Sequence, residues 1–466
     1  MRYLSTRGRV EPASFEEVLF AGLAGDGGLF VPESWPAFDR ERLAALQGAS
    51  YQEVAAFVLA PFVDGALSEE QLRKLIDDAY SSFRHQAVAP VKQLAAGEWL
   101  MELFHGPTLA FKDVALQLLG GLFEFFLDKR GQGITIVGAT SGDTGSAAIE
   151  ATAGRAHMRT VILHPKGRVS EVQRRQMTTV AAGNIHNVAI AGSFDDCQAL
   201  VKAMFNDQSF RERQALAAIN SINWCRIMAQ VVYYVTASLA LGGPWRRVAF
   251  SVPSGNFGDV YAGYVAAKMG LPIDRLMVAT NRNDILARFF ASGSYQAGEV
   301  APTISPSMDI QVASNFERLL FDLVARDAEQ LNRLMATFAE ERCFTLEPDQ
   351  LAQARELFSA QRVSEEETLA TMAAVLEATG EVVDPHTAVG LAAAKALREE
   401  TEAPVITLAT AHPAKFPDAV RRATGITPAL PSHLAELMTR EERCTELPND
   451  LAALQAHIDN LPIAEQ

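Results

Sequence analysis

Lys112 stands in the stretch FHGPTLAFKD (residues 104–113), between Phe111 and Asp113 and just after a Gly-Pro turn. A lysine ordinarily occupies a solvated helix face, since it is almost never buried without a partner. The sequence neighbours Leu109, Ala110, Phe111, Val114 and Ala115 are apolar, and partial desolvation makes the neutral amine of a lysine easier to reach. Such an amine can bond to a carbonyl carbon. Three other stretches carry chemistry. ATSGDTGSAA follows the apolar run ITIVG and brings Ser141, Gly142, Asp143, Thr144 and Gly145 to the head of a small-residue helix. PSGNFGDVYAG follows VAFSV and presents Ser254, Gly255, Asn256, Phe257, Gly258 and Asp259 in the same way. AHPAKFPDAV follows PVITLAT, with Thr410 at the end of that run.

Glycine lets backbone approach a ligand closely, and a helix start offers unpaired N–H groups with positive partial charge, so each Ser-Gly loop is a potential anion cradle. One such loop alone also reads as a tight turn. Two of similar design point to a ligand with more than one anionic group. A nucleotide is the competing reading, but there is no G-x-x-x-x-G-K-[ST], and no G-x-G-x-x-G follows a strand. Two cradles and one desolvated lysine suit pyridoxal 5'-phosphate: Lys112 forms a Schiff base with its aldehyde, one loop takes the cofactor phosphate and the other a substrate anion.

The elements that must hold these loops read as follows. SEEQLRKLIDDAYSSF opens on a capping box, Ser68 with Gln71, and Leu72, Leu75, Ile76, Ala79, Tyr80 and Phe83 form one apolar stripe. Residues 1–92 are therefore expected to form a mostly helical N-terminal domain. From Glu98 onward, short apolar runs (EWLMELF, ITIVGA, RTVILH, IHNVAI, RVAFSV, RLMVAT, PVITLAT) alternate with helical stretches such as FDDCQALVKAMF and NWCRIMAQVVYYV. That alternation predicts an α/β fold of mainly parallel sheets flanked by helices, whose ligands bind beyond the carboxyl ends of the strands. The expected division is an α/β catalytic region over 93–314, a helical insertion over 315–378 without a strand, the remainder of the catalytic region over 379–430, and a helical tail over 431–466.

With 466 residues, 48% of them hydrophobic, the chain can fill large cores. Its net charge of −15 opposes a sequence-independent grip on nucleic acid or anionic lipid, so an anionic ligand needs local cations. The run VVYYVTASLALGG falls short of the roughly 20 residues that span a bilayer. The opening MRYLSTRGRV shows no signal-peptide pattern, and a cytoplasmic location is expected. Cys197, Cys225, Cys343 and Cys444 lie far apart with no C-x-x-C, which predicts free thiols, and the absence of H-E-x-x-H gives no support to a metal site.

DGGLFVP (26–32), FHGPTLAFKD, GATSGDTGSAA, NSINWCRI (220–227), PSGNFGD, DPHTAVG (384–390) and ATAHPAKF (409–416) together resemble the threonine synthases of the long microbial and fungal type, over residues 1 to about 430. The resemblance implies the fold of the pyridoxal-phosphate enzymes related to the tryptophan synthase β chain, fold type II. Lys112 would be the Schiff-base lysine. Gly255, Asn256, Phe257, Gly258 and Asp259 would surround the cofactor phosphate, and Thr410 would face the pyridine nitrogen. Ser141, Asp143 and Thr144 would receive the substrate α-carboxylate, while Ser221, Asn223 and Arg226 would reach its phosphate. Many relatives have asparagine at the place of Asp143, which leaves the partner of the cofactor 3-oxygen open. Lys166 and Arg168 are either phosphate ligands or part of a solvated loop. His386, His412, Asp384 and Lys415 act either in catalysis or in ordering their loops.

The implied reaction converts O-phospho-L-homoserine and water to L-threonine and phosphate by γ-elimination and β-hydration. Two alternatives stay open at this level: a phospho-lyase acting on phosphohomoserine or phosphothreonine, and a catalytically inactive protein that keeps the cofactor.

Overall fold

The computed structural model describes residues 1–140 and 142–462, which form two compact units. The first comprises Met1–Asp77, Phe83–Phe111 and Ser221–Pro428; the second comprises Asp78–Ser82, Lys112–Asn220 and the chain from Ala429 onward.

The first unit is built on a six-stranded sheet in the order Phe358–Arg362, Ile273–Thr280, Val248–Pro253, Val405–Ala409, Glu98–Glu102, Val91–Ala95. Its strands pair in parallel except for the last, which is antiparallel to its neighbour. The central strands VAFSVP and VITLA are buried along their whole length, as continuous apolar runs in a parallel sheet must be. The helix Trp224–Ala240 is apolar almost all round and likewise buried. Helices Phe15–Ala21, Tyr51–Val63 and Glu69–Tyr80 dominate the first eighty residues, and the Ser68–Gln71 capping box forms as read.

The second unit carries a fully parallel five-stranded sheet in the order Thr445–Pro448, Ile185–Ala191, Met158–Pro165, Ile134–Ala139, Leu216–Ala217. Val137, Val161, Leu163, Val188 and Ile190 from its strands pack with Cys197, Leu200, Met204, Leu454 and Ile458 into one core.

The expected division of the chain differs from this arrangement in four places. The N-terminal segment holds a short antiparallel pair, Tyr3–Ser5 with Phe30–Pro32, and the boundary at residue 92 falls inside the strand Val91–Ala95. The stretch 93–314 is shared between both units. The segment 315–378 contains the strands Cys343–Thr345 and Phe358–Arg362, and 431–466 contains Thr445–Pro448. The latter two and Val91–Ala95 lie at sheet edges, where one side needs no partner, so their polar sequences FSAQR, TELP and VKQLA lack the apolar run that reveals an interior strand.

Among the described residues no helix is long and apolar enough to cross a membrane. All four cysteines are free, Cys197 and Cys225 buried and Cys444 exposed.

Candidate active site

In the second unit, Lys112 is the first residue of the helix Lys112–Arg130 and is largely buried. Its Nζ lies 3.5 Å from Oδ2 of Asp143, the first residue of the helix Asp143–Thr152. The other carboxylate oxygen of Asp143 accepts a 2.8 Å hydrogen bond from Nε2 of Gln173, so the carboxylate is aimed from both sides. The turn before it is tight. Thr140 Oγ1 accepts from the backbone N–H groups of Gly142 and Gly145, and Gly142 has φ +146°, where a Cβ would meet the Gln173 side chain at about 2.5 Å. Only glycine fits there. Thr144 occupies the first turn of the same helix, half-buried; Ser141, expected beside it, lies outside the described residues.

In the first unit, Gly255, Asn256, Phe257 and Gly258 link the strand Val248–Pro253 to the helix Gly258–Lys268. Phe257 has φ +62°, a left-handed conformation that costs a bulky residue about 1–2 kcal/mol. Its ring is locked among Phe290, Phe316 and Phe358, which offsets that cost. Phe257 caps the helix without a side-chain hydrogen bond, so no side chain of the cap occupies the first N–H groups. A Cβ on Gly255 would stand 2.9 Å from the Ser307 carbonyl oxygen. Ser254 Oγ is buried without a hydrogen-bond partner among the described residues. The carboxyl of Asp259 turns away into the helix pair: Oδ1 accepts from the hydroxyls of Tyr233 and Tyr234, and burial pushes its pKa up to about 7. Thr410 is buried immediately after the strand Val405–Ala409, and its carbonyl accepts from the Phe111 N–H at 2.9 Å.

The segment 221–226 enters the helix Trp224–Ala240. Asn223 caps it, accepting from the Cys225 N–H at 3.0 Å while its amide donates to the Leu19 carbonyl at 2.9 Å. Ser221 Oγ lies 3.2 Å from Ser314 Oγ. Arg226 stands one turn further and is 4% exposed, yet its Nε and Nη1 have no hydrogen-bond partner among the described residues. Burial draws its pKa down to about 10, so the guanidinium still carries its charge at neutral pH.

The remaining candidates are hydrogen-bonded to nearby groups or lie exposed. Asp384 caps the helix Pro385–Ala396 and holds Nδ1 of His386 at 2.6 Å, while the other ring nitrogen accepts from the Ser307 N–H. His412 accepts from the Ala414 N–H, and the buried Lys415 donates to the Thr108 carbonyl at 2.6 Å. Lys166 and Arg168 are exposed, with Lys166 paired to Glu446. The sequence did not reveal Gln173, Tyr233 or Tyr234, because each gains its place only through a partner well separated along the chain.

Comparison with known proteins agrees with this geometry. Three family models match in series: "Threonine synthase N terminus" over residues 2–80, "Pyridoxal-phosphate dependent enzyme" over 84–349 and "Threonine synthase, C-terminal" over 387–458. A threonine synthase of Pseudomonas aeruginosa is 54% identical over 459 residues, covering 98% of each chain. The chain belongs to the threonine synthase family. A Schizosaccharomyces pombe threonine synthase is 43% identical, covering 95% of this chain and 94% of its own. Among solved structures, the threonine synthase of Brucella melitensis, described as PLP-bound, superposes with a TM-score of 0.96 at 52% identity over 98% of each chain. The yeast threonine synthase gives 0.94 at 40% identity and the same coverage. The protein is accordingly a pyridoxal-phosphate-dependent enzyme of fold type II, and its residues fit that cofactor. A desolvated lysine amine is present beside a carboxylate, and a glycine-lined helix start whose cap brings no side chain to its N–H groups can face a phosphate.

Proposed function

We propose that the protein converts O-phospho-L-homoserine and water to L-threonine and phosphate, with Arg226 holding the substrate phosphate. The observation that carries this reading is the Arg226 guanidinium, buried, charged and without a hydrogen-bond partner among the described residues for two of its nitrogens, in a chain of net charge −15. A buried cation is costly unless it is paired, and the planar fork of arginine matches two phosphate oxygens. Its place in the first turn of the helix Trp224–Ala240 adds the positive end of the helix dipole. Ser221 is the nearest hydroxyl in sequence to share that phosphate.

Lys112 would hold the cofactor covalently, the N–H groups of Gly255–Gly258 with Ser254 would hold its phosphate, and Thr410 would hold its ring nitrogen. Asp259 serves the same loop from behind, fixing the helix start through Tyr233 and Tyr234. Once bound, the cofactor supplies an electron sink for carbanionic charge on the substrate. The amine of Lys112 would be the base that takes the α proton and returns it to later carbons. Asp143 stands within ion-pair distance to hold the ammonium while the lysine carries a proton. Asp143 and Thr144, with Ser141, receive the substrate carboxylate. Arg226 stabilises the phosphate dianion as it leaves the γ carbon.

A single-turnover assay with O-phospho-L-homoserine tests the reading. Stoichiometric threonine and phosphate are expected; release of phosphate with an oxoacid and ammonia instead would make the protein a phospho-lyase. Borohydride reduction and peptide mapping should label Lys112 and no other lysine.

A further inference from the structure

The segment after residue 314 supplies a buried polar hub to the first unit. Arg318, in the helix Phe316–Leu323, is wholly buried. Its Nε donates to the Phe30 carbonyl at 2.9 Å, Nη2 to the Ile222 carbonyl at 2.6 Å, and Nη1 to Oδ1 of Asn315. Asn315 is buried as completely. Its Nδ2 donates to two carbonyls, Ser221 at 3.1 Å and Asn256 at 3.1 Å, and its own N–H donates to Asn256 O at 3.0 Å. Ser314 repeats the link with side chains, its Oγ lying 3.2 Å from Ser221 Oγ and 3.1 Å from Asn256 Oδ1. One amide group thus joins the loop that ends at Ser221–Asn223 to the loop that runs through Asn256–Gly258, and one guanidinium orients that amide while tying down the DGGLFVP strand at Phe30.

We propose that Asn315 and Arg318 are positioning residues that couple the Ser221 loop to the Asn256 loop, so that phosphate seated at one loop orders the other. The proposal rests on the reading above, in which the Asn256 loop takes the cofactor phosphate and the Ser221 segment the substrate phosphate. An amide donating to two carbonyls has a fixed fork, so a shift of one loop pulls the shared group out of line with the other. Burying a guanidinium solely to fill space is costly, whereas here its three hydrogen bonds hold the Phe30 strand carbonyl, the Ile222 loop carbonyl and the amide that joins the Ser221 and Asn256 loops. Both residues lie beyond hydrogen-bond contact with the cradle N–H groups and act through the backbone.

The decisive variant is Asn315→Asp. It keeps an acceptor for Arg318 and nearly the same volume, but removes both side-chain donors. Hydrogen exchange of the apoprotein, with and without saturating pyridoxal 5'-phosphate, reads the coupling without any turnover. In the wild type the cofactor should slow exchange at residues 255–259 and also at 221–224. In Asn315→Asp the protection at 255–259 should persist at saturating cofactor while that at 221–224 is lost. The cofactor Kd and the KM for O-phospho-L-homoserine should both rise by about tenfold, the scale of a lost buried hydrogen bond, with kcat less affected. Arg318→Lys, which keeps the charge but not the fork, should give the same paired defect in weaker form, and it carries the test if Asn315→Asp does not fold. Equal protection of 221–224 in wild type and variant, or no cofactor effect on 221–224 in the wild type, would overturn the coupling. Absence of protection at 255–259 in the wild type would instead refute the phosphate assignment on which it rests.

Discussion

Arg226 and Arg318 lie in the same unit, both are buried, and burial draws the pKa of each down to about 10. They differ in what their nitrogens meet. Every nitrogen of Arg318 donates to an oxygen of the protein, two of them the backbone carbonyls of Phe30 and Ile222 and one the Asn315 amide. Arg226 leaves Nε and Nη1 without any such oxygen among the described residues. A cation that builds the fold completes its hydrogen bonds internally, because an unpaired buried donor costs about 1–3 kcal/mol. A cation that serves a ligand keeps that cost in the folded protein and recovers it on binding. Burial and pKa alone do not separate the two roles; the hydrogen-bond inventory does.

That contrast can be broken by experiment. The largest effect is expected at Arg318→Met, which strands the Phe30 and Ile222 carbonyls and Asn315 Oδ1: chemical denaturation should show a loss of about 3–5 kcal/mol, and a loss below about 1 kcal/mol would remove the distinction. Next comes Arg226→Lys, where a point charge replaces the fork; kcat/KM for O-phospho-L-homoserine should fall by the equivalent of about 1–2 kcal/mol, with cofactor affinity retained. Unchanged kinetics would mean that the fork has no dianion to match.

The smallest effect per unit of the variable changed is a slope in pH, and it concerns Asp259. Folding holds its carboxyl protonated up to about pH 7 by burial, whereas an exposed aspartate titrates near 4. The folded state therefore binds the extra proton between those values, so its contribution to stability is fully present below about pH 4 and is lost as the pH rises to 7. Asp259→Asn keeps the acceptor for Tyr233 and Tyr234 and removes the proton, so the unfolding free energy should lose up to about 1 kcal/mol per pH unit of slope in that window. An unaltered slope would show that Asp259 is ionised in the folded protein.

What the sequence made legible follows from range. Interior parallel strands such as ITIVGA and VAFSVP announce themselves by apolar runs, and the Ser-Gly loops after them by local composition. The capping box at Ser68 is legible because its two residues lie three apart. Edge strands such as Phe358–Arg362 escape, since only their neighbour in the sheet makes them strands. The same holds within the site. Lys112 and Arg226 stand out by type and setting, but Arg318 is one arginine in an amphipathic helix until Phe30 and Ile222, from distant parts of the chain, converge on it beside its near neighbour Asn315. Asp259 shows the reverse case: its sequence position adjoins the Gly255–Gly258 loop, while its carboxyl belongs to two tyrosines of the neighbouring helix.

The most direct test of the central claim is the pair of values obtained from Arg226→Met: the unfolding free energy, and the KM for O-phospho-L-homoserine at saturating cofactor. Removing a buried charge whose Nε and Nη1 have no hydrogen-bond partner among the described residues should leave stability unchanged or raise it by about 1–2 kcal/mol, while KM rises by the equivalent of about 3 kcal/mol. Loss of stability with a normal KM would contradict the account, because it would make Arg226 a structural cation like Arg318.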